Sequence, residues 1–294
     1  MITNTHKRAS VKQRRTVKQR QQTSGGGLKS SGGGVALGGG LKSSYVVAIP
    51  SYNRVQKLAE KTLSTLQRGG VPKKCIHVFV ANEAERKAYE EGLPKNLYGK
   101  IVVGVKGITP QRRFIVKYFK EGTNVVSMDD DVEEVMKLSR DGNSIKPFAA
   151  GHLDKFYKDA FKVCRSKNLF IWGVYPVKNP FFMKQETTYD LKFILGTTYG
   201  FIVRHDSDLV PTVAEKEDYE NSIRYYLKDG GVVRFNHVCL KTVFHSPGGL
   251  GLIEDRFEVN KRAAETLQQR YPDLVKIRQR ENGMTEIRLH AKKT

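Results

Sequence analysis

The sequence predicts an α/β fold in which a mixed, mostly parallel sheet is flanked by helices. Two observations lead to this prediction. Short apolar runs of strand length alternate with segments of helical spacing over residues 45–131, as is typical of a largely parallel sheet. One run, residues 125–128, then ends abruptly in three carboxylates at 129–131. Ligands bind beyond the carboxyl ends of strands in such sheets, so these acids are expected where a nucleotide would bind.

The first half of the folded part reads as four strands separated by helices. Residues 55–68 have apolar side chains at helical spacing, and Gly69-Gly70 is predicted to end that helix. The predicted strands are residues 45–49, 76–81, 101–105 and 125–128, and the helices between them are residues 55–68, 83–91 and 107–120.

The second half has a looser pattern. A Gly-rich loop at 245–251 precedes the last helix, and a basic strand-like segment at 276–293 ends the chain. The predicted helices are residues 152–166, 214–228 and 255–270, and the predicted strands are residues 169–174, 198–203 and one or two within 232–244.

Residues 1–44 are predicted to be a disordered basic arm and linker. They carry nine of the 51 Lys and Arg residues and no acid, and residues 25–44 are rich in Gly and Ser. Such a segment cannot bury enough apolar surface to offset its ordering entropy. The formal net charge of the 294-residue chain is +21, which favours polyanionic partners such as nucleic acid.

The remaining composition indicates a cytoplasmic protein, in the host cell if the source is viral. No apolar run approaches the ~20 residues of a membrane span, so no membrane partner is expected. The N-terminus lacks the apolar core of a secretory signal. The three cysteines are far apart in the sequence, as expected of core thiols in a reducing compartment. The oligomeric state is left open.

The three carboxylates have two interpretations. Mg²⁺ and Mn²⁺ prefer oxygen ligands and are usually held by one or two carboxylates together with substrate phosphates. Alternate residues of an extended segment point the same way, so Asp129 and Asp131 are expected to face one cation while Asp130 faces elsewhere. The alternative is a solvated loop with an acidic helix N-terminus, whose first turn Asp131, Glu133 and Glu134 would suit.

The order of several motifs resembles the nucleotide-sugar-dependent glycosyltransferases of the GT-A fold. The segment Pro50-Ser51-Tyr52-Asn53-Arg54 resembles the start of many members, residues 125–131 resemble the strand that ends in the D-x-D motif, and residues 217–220 resemble the later E-D motif. The resemblance covers residues 45–250. Within this superfamily the basic charge, residues 107–113 and residues 245–249 are most similar to the TET/JBP-associated enzymes of phages and eukaryotes.

This resemblance implies roles for individual residues. The metal ligands are expected to be Asp129, Asp131 and His245. The general base is expected to be Asp218, with Glu217 as the alternative. Residues expected to bind the nucleotide sugar are Pro50, Tyr52, Arg54, Glu83, Arg112, Arg113, Asp129, Asp130, Gly248 and Gly249.

Several of these residues have an equally simple structural interpretation. Tyr52 is then a ring that caps the sheet, and Glu83 is an acid that stabilises a helix N-terminus. Glu217 and Asp218 belong to one exposed acidic helix face together with Glu215 and Glu220. His245 is structural, and the glycines at 248 and 249 form a plain turn.

The resemblance also implies a reaction. The expected cofactors are Mn²⁺ or Mg²⁺ and a donor such as UDP-glucose. The expected acceptor is a hydroxymethylated pyrimidine in DNA, as in 5-hydroxymethylcytosine, with inversion at the sugar. Residues 45–131 would bind the nucleotide sugar and residues 132–294 the acceptor. The alternatives are an acceptor of protein or polysaccharide, or a non-catalytic nucleic-acid-binding protein on the same scaffold.

Overall fold

The computed structural model describes residues 45–242, 253–279 and 285–291. The predicted arm and linker at 1–44, and the candidate residues His245, Gly248 and Gly249, lie outside the described residues.

An eight-stranded sheet forms the centre of the fold, with strand order β3-β2-β1-β4-β9-β7-β10-β8. Six of its strands run in one direction, and β9 and β8 run in the other. Its strands are β1 (Val46–Pro50), β2 (Ile76–Val80), β3 (Lys100–Val103), β4 (Asn124–Met128), β7 (Ile171–Val174), β8 (Thr187–Thr188), β9 (Thr198–Ile202) and β10 (Val233–Phe235). The predicted mixed, mostly parallel α/β fold is confirmed.

Helices cover both faces of this sheet because its strand residues alternate between two apolar cores. One core joins Val47 and Val78 of the strands to Leu63 and Tyr157 of the helices, and the other joins Ala48 and Phe79 to Ile115 and Tyr225. The helices are α1 (Val55–Leu58), α2 (Ser64–Arg68), α3 (Glu83–Gly92), α4 (Ile108–Tyr118), α5 (His152–Ser166), α6 (Glu217–Asp229) and α7 (Ile253–Arg270). A π-helical turn, Ala59–Leu63, joins α1 to α2.

A second, three-stranded sheet begins directly after the carboxylates. It consists of β5 (Val132–Leu138), β6 (Ile145–Pro147) and β11 (Val238–Thr242), in the order β11-β5-β6. The alternative of an acidic helix at this point is therefore wrong, because Val132, Val135 and Leu138 are buried on a strand.

The basic segment near the C-terminus is a hairpin rather than one strand. Strands β12 (Val275–Gln279) and β13 (Thr285–Leu289) pair antiparallel and pack with α7 in a separate apolar cluster. Within the described residues, none of the helices has the length and apolar composition needed to span a bilayer.

Candidate active site

The carboxyl ends of β1 and β4 lie side by side and carry most of the predicted site residues. β1 ends at Pro50, which is buried, and the chain continues into the loop that contains Tyr52 and Arg54. β4 ends at Met128, and the backbone N–H of Asp129 donates to the carbonyl of Thr197 at 2.9 Å. The loop after β1 and the acidic turn after β4 therefore share one edge of the sheet.

Two of the three carboxylates share one arginine. The Asp130 carboxylate is buried, and it accepts hydrogen bonds from the Ser51 hydroxyl at 2.7 Å and from Arg54 Nη1 at 3.0 Å. The same Arg54 nitrogen lies 3.4 Å from Asp131 Oδ2. Burial lowers the pKa of Arg54, but the carboxylates of Asp130 and Asp131 outweigh it and raise that pKa overall. Asp130 thus points into the protein, away from the position expected for a donor.

Asp129 faces a second arginine. Its Oδ1 accepts a hydrogen bond from Arg112 Nη2 at 2.9 Å. Burial raises the pKa of Asp129 to about 7, and the neighbouring Asp130 and Asp131 add to this, against the opposing effect of Arg112. Burial also raises the pKa of Asp130. The acidic turn is short of positive charge even with two arginines beside it.

A divalent cation fits this charge deficit. Among the described residues, no group of three or more His, Cys, Asp or Glu side chains is arranged to hold a metal ion. Mg²⁺ and Mn²⁺ do not need such a group, because one or two carboxylates suffice when substrate phosphates and water complete the shell. Asp129 and Asp131 are the two candidates, since their side chains retain 28% and 18% exposure.

The helix after β1 holds the backbone of the acidic turn. The Thr62 hydroxyl accepts from the N–H of Val132 at 3.0 Å and donates to the carbonyl of Asp129 at 2.7 Å. The Thr65 hydroxyl donates to the carbonyl of Glu133 at 2.5 Å. Thr62 lies in the π-helical turn, a local geometry that is frequent at functional sites.

The loop after β1 contains a half-exposed ring, which is followed by a residue with a positive φ. Tyr52 is 40% exposed, and the ammonium of Lys106 lies 5.2 Å from its ring centroid. Asn53 has a φ of 53°, a region that is costly for most residues and tolerated by Asn. Its N–H donates to Glu85 Oε1 at 2.9 Å. The Tyr52 ring is therefore partly accessible to a ligand, with Lys106 beside it, while the backbone of the next residue is held by Glu85.

Glu85, rather than Glu83, contacts this loop. The carboxylate of Glu83 is 68% exposed and pairs with Arg86 within α3. Glu85 is buried, and its Oε2 has no hydrogen-bond partner among the described residues. The spacing Asn82-x-x-Glu85, in which the Asn82 side chain caps the Glu85 N–H at 2.9 Å, is a sequence signal that points to Glu85.

Arg112 links the acidic turn to the predicted catalytic helix. It donates to Asp129, to the carbonyl of Gly196 at 2.9 Å and to Glu217. A Cβ on Gly196 would lie 3.0 Å from Arg112 Nη1 and 3.3 Å from the Cβ of Asp218, so this close approach favours glycine. The Nε of Arg112 is buried and has no partner among the described residues. Arg113 is exposed and donates to the carbonyl of Pro211.

Glu217 and Asp218 begin α6 and have different surroundings. Glu217 is in an ion pair with Arg112. Asp218 accepts from the N–H of Gly196 at 3.3 Å and from the N–H of Tyr219 at 3.0 Å. Burial raises the pKa of Asp218 to about 7, and the neighbouring Glu217 charge adds to this effect. A carboxyl with that pKa can exchange a proton near neutral pH.

The alternative of one exposed acidic helix face is wrong. Glu220 is fully buried, and its carboxylate accepts from Arg224, Arg270 and the backbone of Thr212 and Val213. Glu217 and Asp218 are half-buried. The acids of α6 are therefore divided between a structural anchor, Glu220, and the candidate site.

A cavity of about 440 Å³ adjoins these residues. It lies between α4, α6 and β9, and Arg112, Glu217 and Asp218 line it. Its volume is within the range usual for small-molecule sites.

Comparisons with known proteins show fold similarity only. No protein-family model and no curated protein matches this chain. A crystal structure of S. aureus TarS 1-349 in complex with UDP is 17% identical with a TM-score of 0.47, over 76% of this chain and 65% of that one. The mannosyltransferase PcManGT from Pyrobaculum calidifontis in complex with GDP-Man and Mn²⁺ is 13% identical with a TM-score of 0.47, over 78% and 64%.

A third solved structure is matched by this chain over a larger share of its own length. Glucosyl-3-phosphoglycerate synthase from Mycobacterium tuberculosis, in complex with Mn²⁺, UDP-Glc and phosphoglyceric acid, is 9% identical with a TM-score of 0.44, over 85% of this chain and 88% of that one. The chain spans less than two thirds of the TarS and PcManGT chains it matches. At these identities and scores the similarities carry no conclusion about activity.

Proposed function

We propose that this chain is a metal-dependent glycosyltransferase that transfers a sugar from a nucleotide diphosphate sugar. One observation carries the proposal. Arg112 contacts both Asp129, which follows β4, and Glu217, beside Asp218 on α6. The proposed metal-binding carboxylate and the helix turn that carries the proposed base are thus held together through one side chain, which supports donor and acceptor chemistry at one site.

The donor is proposed to bind at the edge formed by β1 and β4. Tyr52 would stack on the nucleobase, Arg54 and Arg112 would face the diphosphate, and Asp129 and Asp131 would hold Mn²⁺ or Mg²⁺. When bound, the cation neutralises charge on the leaving diphosphate. The buried Nε of Arg112 and Oε2 of Glu85, both without partners among the described residues, support a polar ligand at this edge. Residues 45–131 then form the donor half and 132–294 the acceptor half.

Asp218 is proposed as the general base of an inverting transfer. It accepts the proton of the acceptor hydroxyl, the hydroxyl oxygen bonds to the anomeric carbon, and the bond from that carbon to the diphosphate oxygen breaks. Glu217 is the less suitable base because its carboxylate is already engaged in an ion pair with Arg112.

The acceptor is proposed to be a hydroxymethylated pyrimidine in DNA, which implies a cytoplasmic protein with access to DNA. The net charge of +21 and the nine cationic residues of 1–44 support a polyanionic acceptor. Protein and polysaccharide acceptors remain the competing proposals, and phage origin belongs to the same proposal as the DNA acceptor.

Mass spectrometry of nucleosides tests the reaction and the acceptor together. Hydroxymethylcytosine DNA is incubated with the protein, Mn²⁺ and a panel of UDP- and GDP-sugars, then digested. A hexose-sized mass gain on 5-hydroxymethyl-2′-deoxycytidine is expected, and none on unmodified 2′-deoxycytidine. Release of free sugar without any gain on DNA would retain the glycosyltransferase and reject the DNA acceptor. If neither glycosylated DNA nor free sugar forms, the result would favour a non-catalytic nucleic-acid-binding protein.

A further inference from the structure

The cavity beside α6 reaches from the proposed base to the protein surface. Asp218 and Arg112, at one part of its lining, are half-buried. Arg113, Lys117 and His205, at another part, are exposed and mark where the cavity meets solvent. A group that enters from solvent can therefore reach the Asp218 carboxyl without displacing the sheet.

The walls between these ends are apolar and aromatic. Tyr199 and Phe201 are two residues apart on β9, so both rings lie on the same face of the sheet, and their centroids are 5.8 Å apart. Ile194, Leu209 and Tyr225 complete the wall. Such a lining suits a flat, partly apolar ring better than a polyol, whose hydroxyls would lose water without replacement hydrogen bonds.

Asn221 places a hydrogen-bonding group within this wall. It follows Asp218 by three residues on α6, so the two side chains lie on one helix face, and both line the cavity. Asn221 is half-buried, and its amide makes no hydrogen bond with any residue in the described part of the chain. An amide both donates and accepts, as recognition of the edge of a heterocycle requires.

The exposed part of the lining is positively charged. Arg113 and Lys117 are four residues apart on α4, one turn from each other on the same face. Asp206, the nearby acid of the lining, pairs with Lys228. Two cations at the opening suit a phosphate that remains in solvent while the attached ring is enclosed.

We propose that this cavity is the acceptor site and that it encloses a single pyrimidine nucleotide swung out of a DNA strand. The ring lies against Tyr199 and Phe201, the edge of the base meets Asn221, and the hydroxymethyl oxygen meets Asp218. The flanking phosphate lies near Arg113 and Lys117. Enclosure of one base in a pocket is the general solution for enzymes that modify bases. This inference rests on the proposed function, because Asp218 serves as the base of that reaction.

Two variants test the site without altering the donor edge. Asn221→Leu keeps the size of the side chain and removes the amide, and Val116→Phe fills the cavity from α4, where Val116 is half-buried. Asn96→Leu, in an exposed turn before β3, is the matched control. Thermal melting confirms that each variant is folded.

The first measurement is calorimetric binding of 5-hydroxymethyl-2′-deoxycytidine 5′-monophosphate, with glycerol 3-phosphate as a non-aromatic anion of similar charge. The nucleotide is expected to bind the wild type, with affinity at least about tenfold lower for Asn221→Leu, the loss of roughly one hydrogen bond. Val116→Phe is expected to lower it further, and Asn96→Leu to leave it unchanged. No nucleotide binding, equal affinity in all variants, or tighter binding of glycerol 3-phosphate would overturn the proposal.

The second measurement separates this inference from the proposed function. Hydrolysis of the sugar nucleotide in the presence of Mn²⁺ is expected to be equal in wild type, Asn221→Leu and Val116→Phe, while the KM for hydroxymethylcytosine DNA rises at least about tenfold. Normal hydrolysis with an unchanged KM for DNA would overturn the acceptor site and retain the glycosyltransferase. Nucleotide binding that depends on Asn221, without hydrolysis or transfer, would reject the proposed function and retain the cavity only as a nucleotide-binding site.

Discussion

The Thr62 hydroxyl donates a hydrogen bond to the backbone carbonyl of Asp129 over 2.7 Å. The same oxygen accepts from the N–H of Val132 at 3.0 Å, so one buried side chain closes the turn that carries all three acids. This arrangement holds the backbone of the acidic turn in place, because the turn cannot open unless the Asp129 carbonyl and the Val132 N–H both lose their partner. Residues that hold metal ligands in this way commonly influence metal affinity without touching the ion.

We predict that Thr62→Val lowers the affinity for Mn²⁺ by about 10- to 100-fold, the usual range for such supporting residues. It should also lower the free energy of unfolding by about 1–3 kcal/mol, because two buried backbone groups lose a partner. Electron paramagnetic resonance of free Mn²⁺ and thermal melting measure the two effects.

Thr62→Ser is the control, since it keeps the hydroxyl and should retain near-normal Mn²⁺ affinity. Thr285→Val removes a buried hydroxyl in β13 and should leave Mn²⁺ binding unchanged. Equal Mn²⁺ affinity in Thr62→Val and wild type would show that the turn does not need this clamp.

The raised pKa of Asp218 predicts the pH dependence of transfer. A general base acts in its deprotonated form, so kcat/KM should fall as pH drops below about 7 and level off above it. Asp218→Asn should lower transfer by about 10²-fold or more and abolish this dependence. A pH–rate profile with saturating metal measures both. If Glu217→Gln is inactive and Asp218→Asn retains activity, the two residues exchange roles.

The acidic turn should make the metal-free protein less stable as pH rises. The pKa of Asp129 in the folded state is about 7, raised from 3.8. The folded state therefore binds this proton more tightly than the unfolded state does. The resulting stabilisation is complete below about pH 4 and is lost as the pH rises through 7. Asp129→Asn removes this titration. The free energy of unfolding of the variant, measured relative to the wild type, should therefore increase by at least about 1 kcal/mol between pH 5 and 7.5.

Denaturant unfolding at both pH values with chelator checks this prediction. Added Mn²⁺ should stabilise the wild type more than Asp129→Asn, since binding to the folded state raises apparent stability. A stability difference between the two proteins that does not change with pH would contradict the assigned pKa.

The local sequence pattern predicted most of the sheet and the position of the acids. The apolar run before Asp129 and the helical spacing over 152–166 depend only on neighbouring residues, and both correspond to observed elements, β4 and α5. The pattern does not predict β5 because its charged residues Glu133, Glu134 and Lys137 break the apolar run. Its identity as a strand comes from pairing with β11, about a hundred residues later.

The contacts that organise the site could not be predicted from local patterns. Arg112 meets Glu217 over 105 residues of sequence, and Thr62 meets Asp129 over 67. No regular sequence spacing predicts either contact, because only tertiary folding brings these elements together. The role of Glu85 could be predicted from the sequence. Glu85 lies three residues after the N-cap Asn82, the spacing of a capping box, whereas Glu83 follows Asn82 directly.

The basic arm should govern affinity for DNA and its salt dependence. Deletion of residues 1–44 removes nine positive charges and leaves a net charge of +12. The KM for DNA should rise and the slope of log affinity against log salt should flatten, because fewer counterions are released. Turnover at saturating DNA should be nearly unchanged. Identical binding by both proteins across a salt series would show that the arm does not contact DNA.

The most direct test of the metal-dependent donor site is hydrolysis of sugar nucleotides in the absence of acceptor. Wild-type protein with Mn²⁺ is predicted to release free sugar from at least one UDP- or GDP-sugar and to stop when chelator is added. Asp129→Asn and Asp131→Asn should each be at least about a hundredfold slower, whereas Asp159→Asn, an acid on the outer face of α5, should be unaffected. Hydrolysis that continues in chelator, or that is equal in all three variants and wild type, would contradict a metal-assisted donor site at Asp129 and Asp131.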